Sequence, residues 1–196
     1  MTVLEDRIEM ADSSGELTLD MMFEWLERMP VPEGYRVEIV GGNIFMSPQR
    51  DIHWEIIRWI VRALEDTFGM KVKVFSDVRI DFPGHLNGFC PDVAKLRDNS
   101  TKDSEGHWRH QDVEFVAEVI SKKTAANDYG PKKTAYALAE VPVYLVADPY
   151  QGRCHVYTHP KDGDYATETK VAFGDDVDLT ATTVGLTLKT KDFPRD

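Results

Sequence analysis

The chain has 196 residues, an apolar fraction of 42% and a formal net charge of −11. These values exclude wholesale disorder, speak against a basic coat for nucleic acid, and fit one α/β domain. No run approaches the ~18 apolar residues of a membrane span, and the acidic opening lacks the apolar stretch of a signal peptide.

Residues 1–16 read as an acidic tail, followed by a single domain over 17–196. Within residues 1–28, eight acids face two arginines, a net of −6. Leu17–Met29 places Leu19, Met22, Phe23 and Leu26 at helical spacing, and Pro30 and Pro32 end the helix. Tyr35–Val40, Gly41-Gly42 and Asn43–Met46 predict a β-hairpin with a two-residue turn. His53–Phe68 is a strongly amphipathic helix, with Ile56, Ile57, Ile60, Val61 and Leu64 on its apolar stripe. From Lys71 the period becomes two, with Val72, Val74, Val78, Ile80 and Phe82 on alternate positions. Pro91–Leu96 is a short strand, residues 97–112 a polar loop, and Val113–Ile120 a strand buried on both faces. A helix over Asp128–Glu140, with Pro131 in its first turn, leads to the strand Val143–Ala147. Strands at Cys154–Thr158, Ala166–Phe173 and Leu186–Thr190 complete the chain. The expected class is α/β, bordering on α+β: a mixed sheet flanked by helices, with an N-terminal helix and hairpin and extra C-terminal strands. The helix before Val143 invites a parallel crossover.

Two cysteines far apart, Cys90 and Cys154, suggest neither a disulfide framework nor a zinc cluster, so a cytoplasmic compartment is expected. The acids are more informative. Asp92 opens a strand and Glu118 lies inside an apolar one, where an unpaired carboxylate is costly. Asp128, Lys132 and Tyr136 follow at i, i+4, i+8 and share a helix face, whereas Lys133 is turned away by ~100°. Two carboxylates with an ammonium and a phenol suit a hard cation, and they equally suit a plain buried Glu118–Lys132 ion pair. Residues 113–136 hold three acids against four lysines, a net of +1. At a Debye length of ~8 Å the remote acidic tail barely touches that patch.

"PDV" at Asp92, "EVIS" at Glu118, "DYGPKKTAYALAEVPVYLVADP" and "YRVEIVGGNIFMSP" together resemble the Uma-two family of restriction endonucleases, within the PD-(D/E)XK superfamily. The resemblance implies Asp92 and Glu118 as ligands for magnesium or manganese and DNA as substrate. The superfamily lysine two residues after the glutamate is absent, since Ile120 stands there. The resemblance places that lysine at Lys132, with Asp92, Glu118 and Lys132 as the catalytic set. Ser121 matches the family serine, and Lys122-Lys123 replace its usual proline and add charge that seeks phosphate. Glu38 matches a family glutamate, and His53 stands where the family carries histidine. Tyr136, Ser121, Glu38 and His53 are auxiliary candidates. His53 reads first as a core or capping histidine and second as a catalytic one. The function implied is metal-dependent cleavage of DNA phosphodiesters. Two tryptophans on the His53–Phe68 helix and hairpin edges that need protection point to a twofold homodimer. The alternative is an inactive relative that binds DNA or a protein partner.

Overall fold

A computed structural model describes residues 16–48 and 50–196. The acidic tail expected over residues 1–16 lies, apart from Glu16, outside the described residues. Two compact units divide the chain, residues 1–30 and residues 31–196. In the first, helix α1 spans Leu19–Arg28, with the Thr18 hydroxyl accepting from the Met21 N–H at 3.3 Å as an N-cap.

The second unit opens on the hairpin β1 (Tyr35–Val40) and β2 (Asn43–Pro48), paired in register from Tyr35↔Pro48 to Val40↔Asn43. Gly41 and Gly42 have φ of 58° and 77°, the left-handed pair that a tight two-residue hairpin turn requires. Helix α2 (Asp51–Phe68) follows, then the short strands β3 (Val74–Phe75), β4 (Ile80–Phe82), β5 (Asn87–Phe89), β6 (Val93–Leu96) and β7 (Trp108–Arg109). Next come β8 (Val113–Val119), α3 (Ala125–Tyr129), α4 (Pro131–Leu138) and β9 (Val143–Asp148). The long hairpin β10 (Arg153–Lys161) and β11 (Asp164–Ala172) precedes the small ladder of β12 (Asp176–Asp178) and β13 (Thr187–Lys189).

One sheet has the order β11-β10-β9-β8-β6-β3, and a second has the order β2-β1-β5-β4-β7. The first is mixed: β8 pairs antiparallel with β6 and parallel with β9, across the crossover through α3 and α4. Strand alternation gives β8 two apolar faces. Phe115, Ala117 and Val119 join the core beneath Ile56, Ile60 and Leu64 of α2. Val116 and Ile120 join Tyr136 of α4 and Ile80, Phe82 and Phe89 of the second sheet. Glu118 shares the parity of Val116 and Ile120, so its carboxylate enters the side where α4 lies.

Several expectations at element level need correction. The alternating run over residues 72–82 is not one strand. It breaks at Asp77, whose φ of 57° is left-handed, and β3 and β4 enter different sheets. Part of the polar loop over residues 97–112 is structured, because Trp108–Arg109 pairs parallel with β4. The helix expected over Asp128–Glu140 begins earlier and is interrupted. Pro131 cannot donate within a helix and sits at the first position of α4. Gly130 makes the break, and a Cβ added there would lie 2.9 Å from the Ala126 carbonyl oxygen.

Candidate active site

Five segments of the chain converge on one buried charge cluster. From β1, alternation sends Arg36 and Glu38 to the same face, two residues apart. From the β8 side comes Glu118, and Asp92 stands just before β6, antiparallel to β8. From α3 and α4 come Asp128, Lys132 and Tyr136. Glu38, Asp92, Glu118, Asp128 and Lys132 are all buried, with Glu118 and Lys132 fully so.

The backbone joins the two acids that open this site. The Val119 N–H donates to Asp92 Oδ2 at 2.7 Å, and the Asp92 N–H approaches Glu118 Oε2 at 3.4 Å. Lys132 Nζ lies 2.7 Å from Glu118 Oε1, 3.0 Å from Glu38 Oε2 and 3.1 Å from Asp128 Oδ1. Its three donors are thus each directed to a carboxylate. The Tyr136 hydroxyl donates to Glu118 Oε1 at 2.6 Å. Lys133, one residue on, pairs instead with Asp164 at 2.8 Å on the half-exposed side. The two lysines therefore differ as the helical spacing predicts.

Arg36 is the member that the motif reading missed. Its Nη1 donates to Asp92 Oδ1 and to the Cys90 carbonyl, and lies 3.8 Å from Glu118 Oε2. Its Nε is 3.8 Å from Asp77 Oδ1. The guanidinium thus bridges the two acids expected to hold a metal. Its position two residues before Glu38 on β1 was the available signal.

Burial shifts these groups against one another. Desolvation alone would discharge Lys132 and Arg36, but the surrounding carboxylates outweigh it and hold both cations charged. Burial pushes Asp92 up, opposed by Arg36 and the Val119 N–H. Burial also pushes Asp128 up to about 7, with Lys132 pulling it down and Glu118 and Glu38 adding to the rise. Burial and then Glu118 raise Tyr136, which keeps its proton and stays a donor.

A cavity of about 140 Å³ opens beside Asp92, with Arg36, Arg50, His53, Asp77 and Ser121 among its walls. Lys122 and Lys123 follow Ser121 and are exposed. The Lys122 ammonium lies 5.9 Å from the Tyr150 ring, whose hydroxyl accepts from Arg50 at 3.3 Å. Arg50, which also pairs with Asp196 at 3.3 Å, lines the cavity mouth. Glu118, Lys132 and Tyr136 lie behind that wall and do not line it.

Five carboxylates (Glu38, Asp77, Asp92, Glu118 and Asp128) face two cations, Arg36 and Lys132. An acidic excess of hard oxygens fits magnesium or manganese in charge and donor type. A cation bound between Asp92 and Glu118 has to take the place that Arg36 holds. Another close set of donors among the described residues, Asp103, Glu105 and His107, lies in the loop before β7. There Asp103 Oδ1 accepts from the backbone N–H groups of Glu105 and His107 at 2.9 Å, which makes it a turn.

The two-layered arrangement around a mixed sheet is that of the restriction-endonuclease-like nucleases. A "putative nuclease belonging to DUF820" from Anabaena variabilis ATCC 29413 has this fold with a TM-score of 0.68, covering 91% of this chain and 97% of its own at 16% identity. Residues 23–191 match the family described as "Uma2: Putative restriction endonuclease", and the chain belongs to that family. No curated protein matches the chain. Families of this fold generally use divalent metals. No described helix is long and apolar enough to cross a membrane.

Proposed function

We propose that the chain is an endonuclease that hydrolyses DNA phosphodiester bonds, with Asp92 and Glu118 holding magnesium or manganese. The observation that carries this reading is the pair of buried carboxylates on neighbouring antiparallel segments, Asp92 accepting from the Val119 N–H and Glu118 meeting the Asp92 N–H, beside an open cavity. A divalent ion held there supplies activation of water and neutralisation of the charge that develops on phosphorus. The chain's own residues do the rest. Lys122, Lys123 and Arg50 draw the phosphate backbone to the mouth, where Ser121 offers a hydroxyl. Lys132 acts through Glu118 as a positioning residue. It holds Oε1 while neutralising Glu38 and Asp128, and Tyr136 fixes the same oxygen.

Arg36 favours a second reading, in which the guanidinium replaces the metal permanently and the protein is an inactive module that binds DNA or a partner. One assay separates the two. Supercoiled plasmid incubated with protein and either magnesium or manganese should be nicked or linearised, and Asp92→Asn should reduce the rate by at least about a hundredfold, as expected for loss of a preorganised charged group. Equal rates for the two proteins, or an intact plasmid with both, remove the endonuclease reading. We also propose a twofold homodimer, since Trp54 on α2 is 59% exposed and two-strand cleavage calls for two sites. Light scattering that reports a monomer at tens of micromolar, roughly where a micromolar dissociation constant is saturated, removes that pairing.

A further inference from the structure

We propose that Trp54 stacks on an unpaired base beside the phosphodiester that is cut, so that the site prefers DNA that is single-stranded or opened at that position. This rests on the reading above that the cavity beside Asp92 takes DNA. Trp54 is the fourth residue of α2 and forms part of the cavity wall. Of the chain's four tryptophans it is the one that is mostly exposed, at 59%. Trp59 has the guanidinium groups of Arg58 and Arg62 at 5.9 and 6.0 Å from its ring. Trp108 has the Phe75 ring at 5.0 Å, with the ammonium groups of Lys73 and Lys102 close by. Among the described residues, no ring stacks on Trp54 and no cation sits over it.

Its neighbours complete a site for one nucleotide. Arg50 lies one turn earlier, ~5.4 Å along the helix axis. Its carbonyl accepts from the Trp54 N–H at 3.1 Å, and its side chain lines the same cavity, as does Ser121. A phosphate that meets Arg50 therefore brings the base attached to it beside the indole. The cavity, about 140 Å³, is many times the about 10–15 Å³ that one water needs. Backbone charge next to an aromatic platform is the combination by which single strands are held without regard to sequence.

Charge argues for the single strand as well. The chain carries a net −11, and the cations named at the mouth are Lys122, Lys123 and Arg50, the last shared with Asp196. So few phosphate contacts supply little of the affinity by which basic proteins coat a duplex. Stacking adds affinity that does not depend on net charge. In an intact duplex both faces of a base are already covered, and bringing it onto the indole costs its stacking and its pairing. An unpaired base has no such cost. A homodimer able to cut must leave each cavity mouth open, so the part of the indole that lines the cavity stays outside the pairing proposed above.

The test measures binding by the full chain in chelator, which prevents cleavage. The probes are a labelled single-stranded oligonucleotide, the same sequence as a blunt duplex, and the single strand made abasic. Wild type should bind the single strand on the order of tenfold more tightly than the duplex, whose base has to leave the stack. Trp54→Ala should weaken binding of the single strand by about 5–150-fold, the contribution of one stacked base, and Trp54→Phe should keep most of the affinity. On the abasic strand wild type and Trp54→Ala should be equal, because the phosphates remain and the stack is gone. If the alanine variant fails to fold, Trp54→Leu carries the same comparison. A duplex bound as tightly as the single strand, or an alanine variant as tight as wild type, overturns the inference. An equal loss on the abasic strand assigns Trp54 to the fold, and a changed oligomeric state assigns it to the pairing; either result overturns the inference. A wild type that binds no oligonucleotide overturns the DNA reading and this inference with it. Trp54-dependent binding of the single strand by a chain that cuts plasmid with neither metal removes the endonuclease reading and supports this inference.

Discussion

Lys132→Met should lower the stability of the protein at neutral pH by about 3–5 kcal/mol, the cost of removing one partner from a buried ion cluster. Lys133→Met should change it by less than about 1 kcal/mol, as for a partly exposed pair. The two lysines are neighbours in sequence, so the contrast isolates the environment. Lys132 serves three buried carboxylates, and its loss leaves Glu38, Glu118 and Asp128 facing one another with the ammonium between them gone. Lys133 has Asp164 alone, on the solvent side. A loss of this size is a large share of the ~5–15 kcal/mol that typically separates folded from unfolded chains.

The deficit should shrink in acid. Burial has pushed Asp128 up to about 7 from an ordinary 3.8. A carboxyl raised on folding contributes stability that is complete below 3.8 and is lost as pH rises through about 7. In Lys132→Met the Asp128 carboxyl loses the ammonium that pulls it down, so its protonation on acidification relieves the variant more than the wild type. Urea unfolding at pH 5 and pH 8 measures this. Equal deficits for the two lysine variants would contradict the three-carboxylate account of Lys132.

Arg36→Met should have two opposite effects. Without metal it lowers the melting temperature, because Asp92 loses its charged partner within the protein. With manganese it binds the ion on the order of ten to a hundred times more tightly than wild type, since no guanidinium has to leave. Each tenfold corresponds to about 1.4 kcal/mol. By mass action the manganese-induced rise in melting temperature is then larger in the variant than in wild type at the same free concentration. Glu38→Gln provides a control, because it removes one acid while leaving Arg36 in place. A manganese shift in Arg36→Met no larger than that of wild type would mean that Arg36 does not compete for the metal position.

The parts of this fold that rest on local rules were legible in the sequence. Gly41-Gly42 announced the hairpin, the isoleucine stripe announced α2, and the apolar run around Glu118 announced a strand buried on both faces. The helix after that strand announced the parallel step from β8 to β9. What escaped depends on tertiary context. Period-two alternation lapses only at Ser76 and resumes at Val78, and the backbone reversal at Asp77 separates β3 from β4. Asn87-Gly88-Phe89 has few residues that favour strands, yet Ile39↔Gly88 and Ile80↔Phe89 hold it between β1 and β4. The site divides in the same way. Glu118, Asp128, Lys132 and Tyr136 could be grouped from spacing. Arg36 could not, because an arginine on a half-buried strand looks the same whether it meets solvent or two carboxylates. His53 was read first as a satisfied core histidine, and the structure leaves its Nε2 without a partner.

The central claim is that Asp92 and Glu118 hold a divalent ion where Arg36 now sits. Anomalous diffraction from crystals grown in millimolar manganese tests it directly. An anomalous peak is expected within bonding distance of a carboxylate oxygen from each of Asp92 and Glu118, with the Arg36 guanidinium withdrawn from Asp92. A map with no peak there, and with Arg36 still bonded to Asp92, would contradict it.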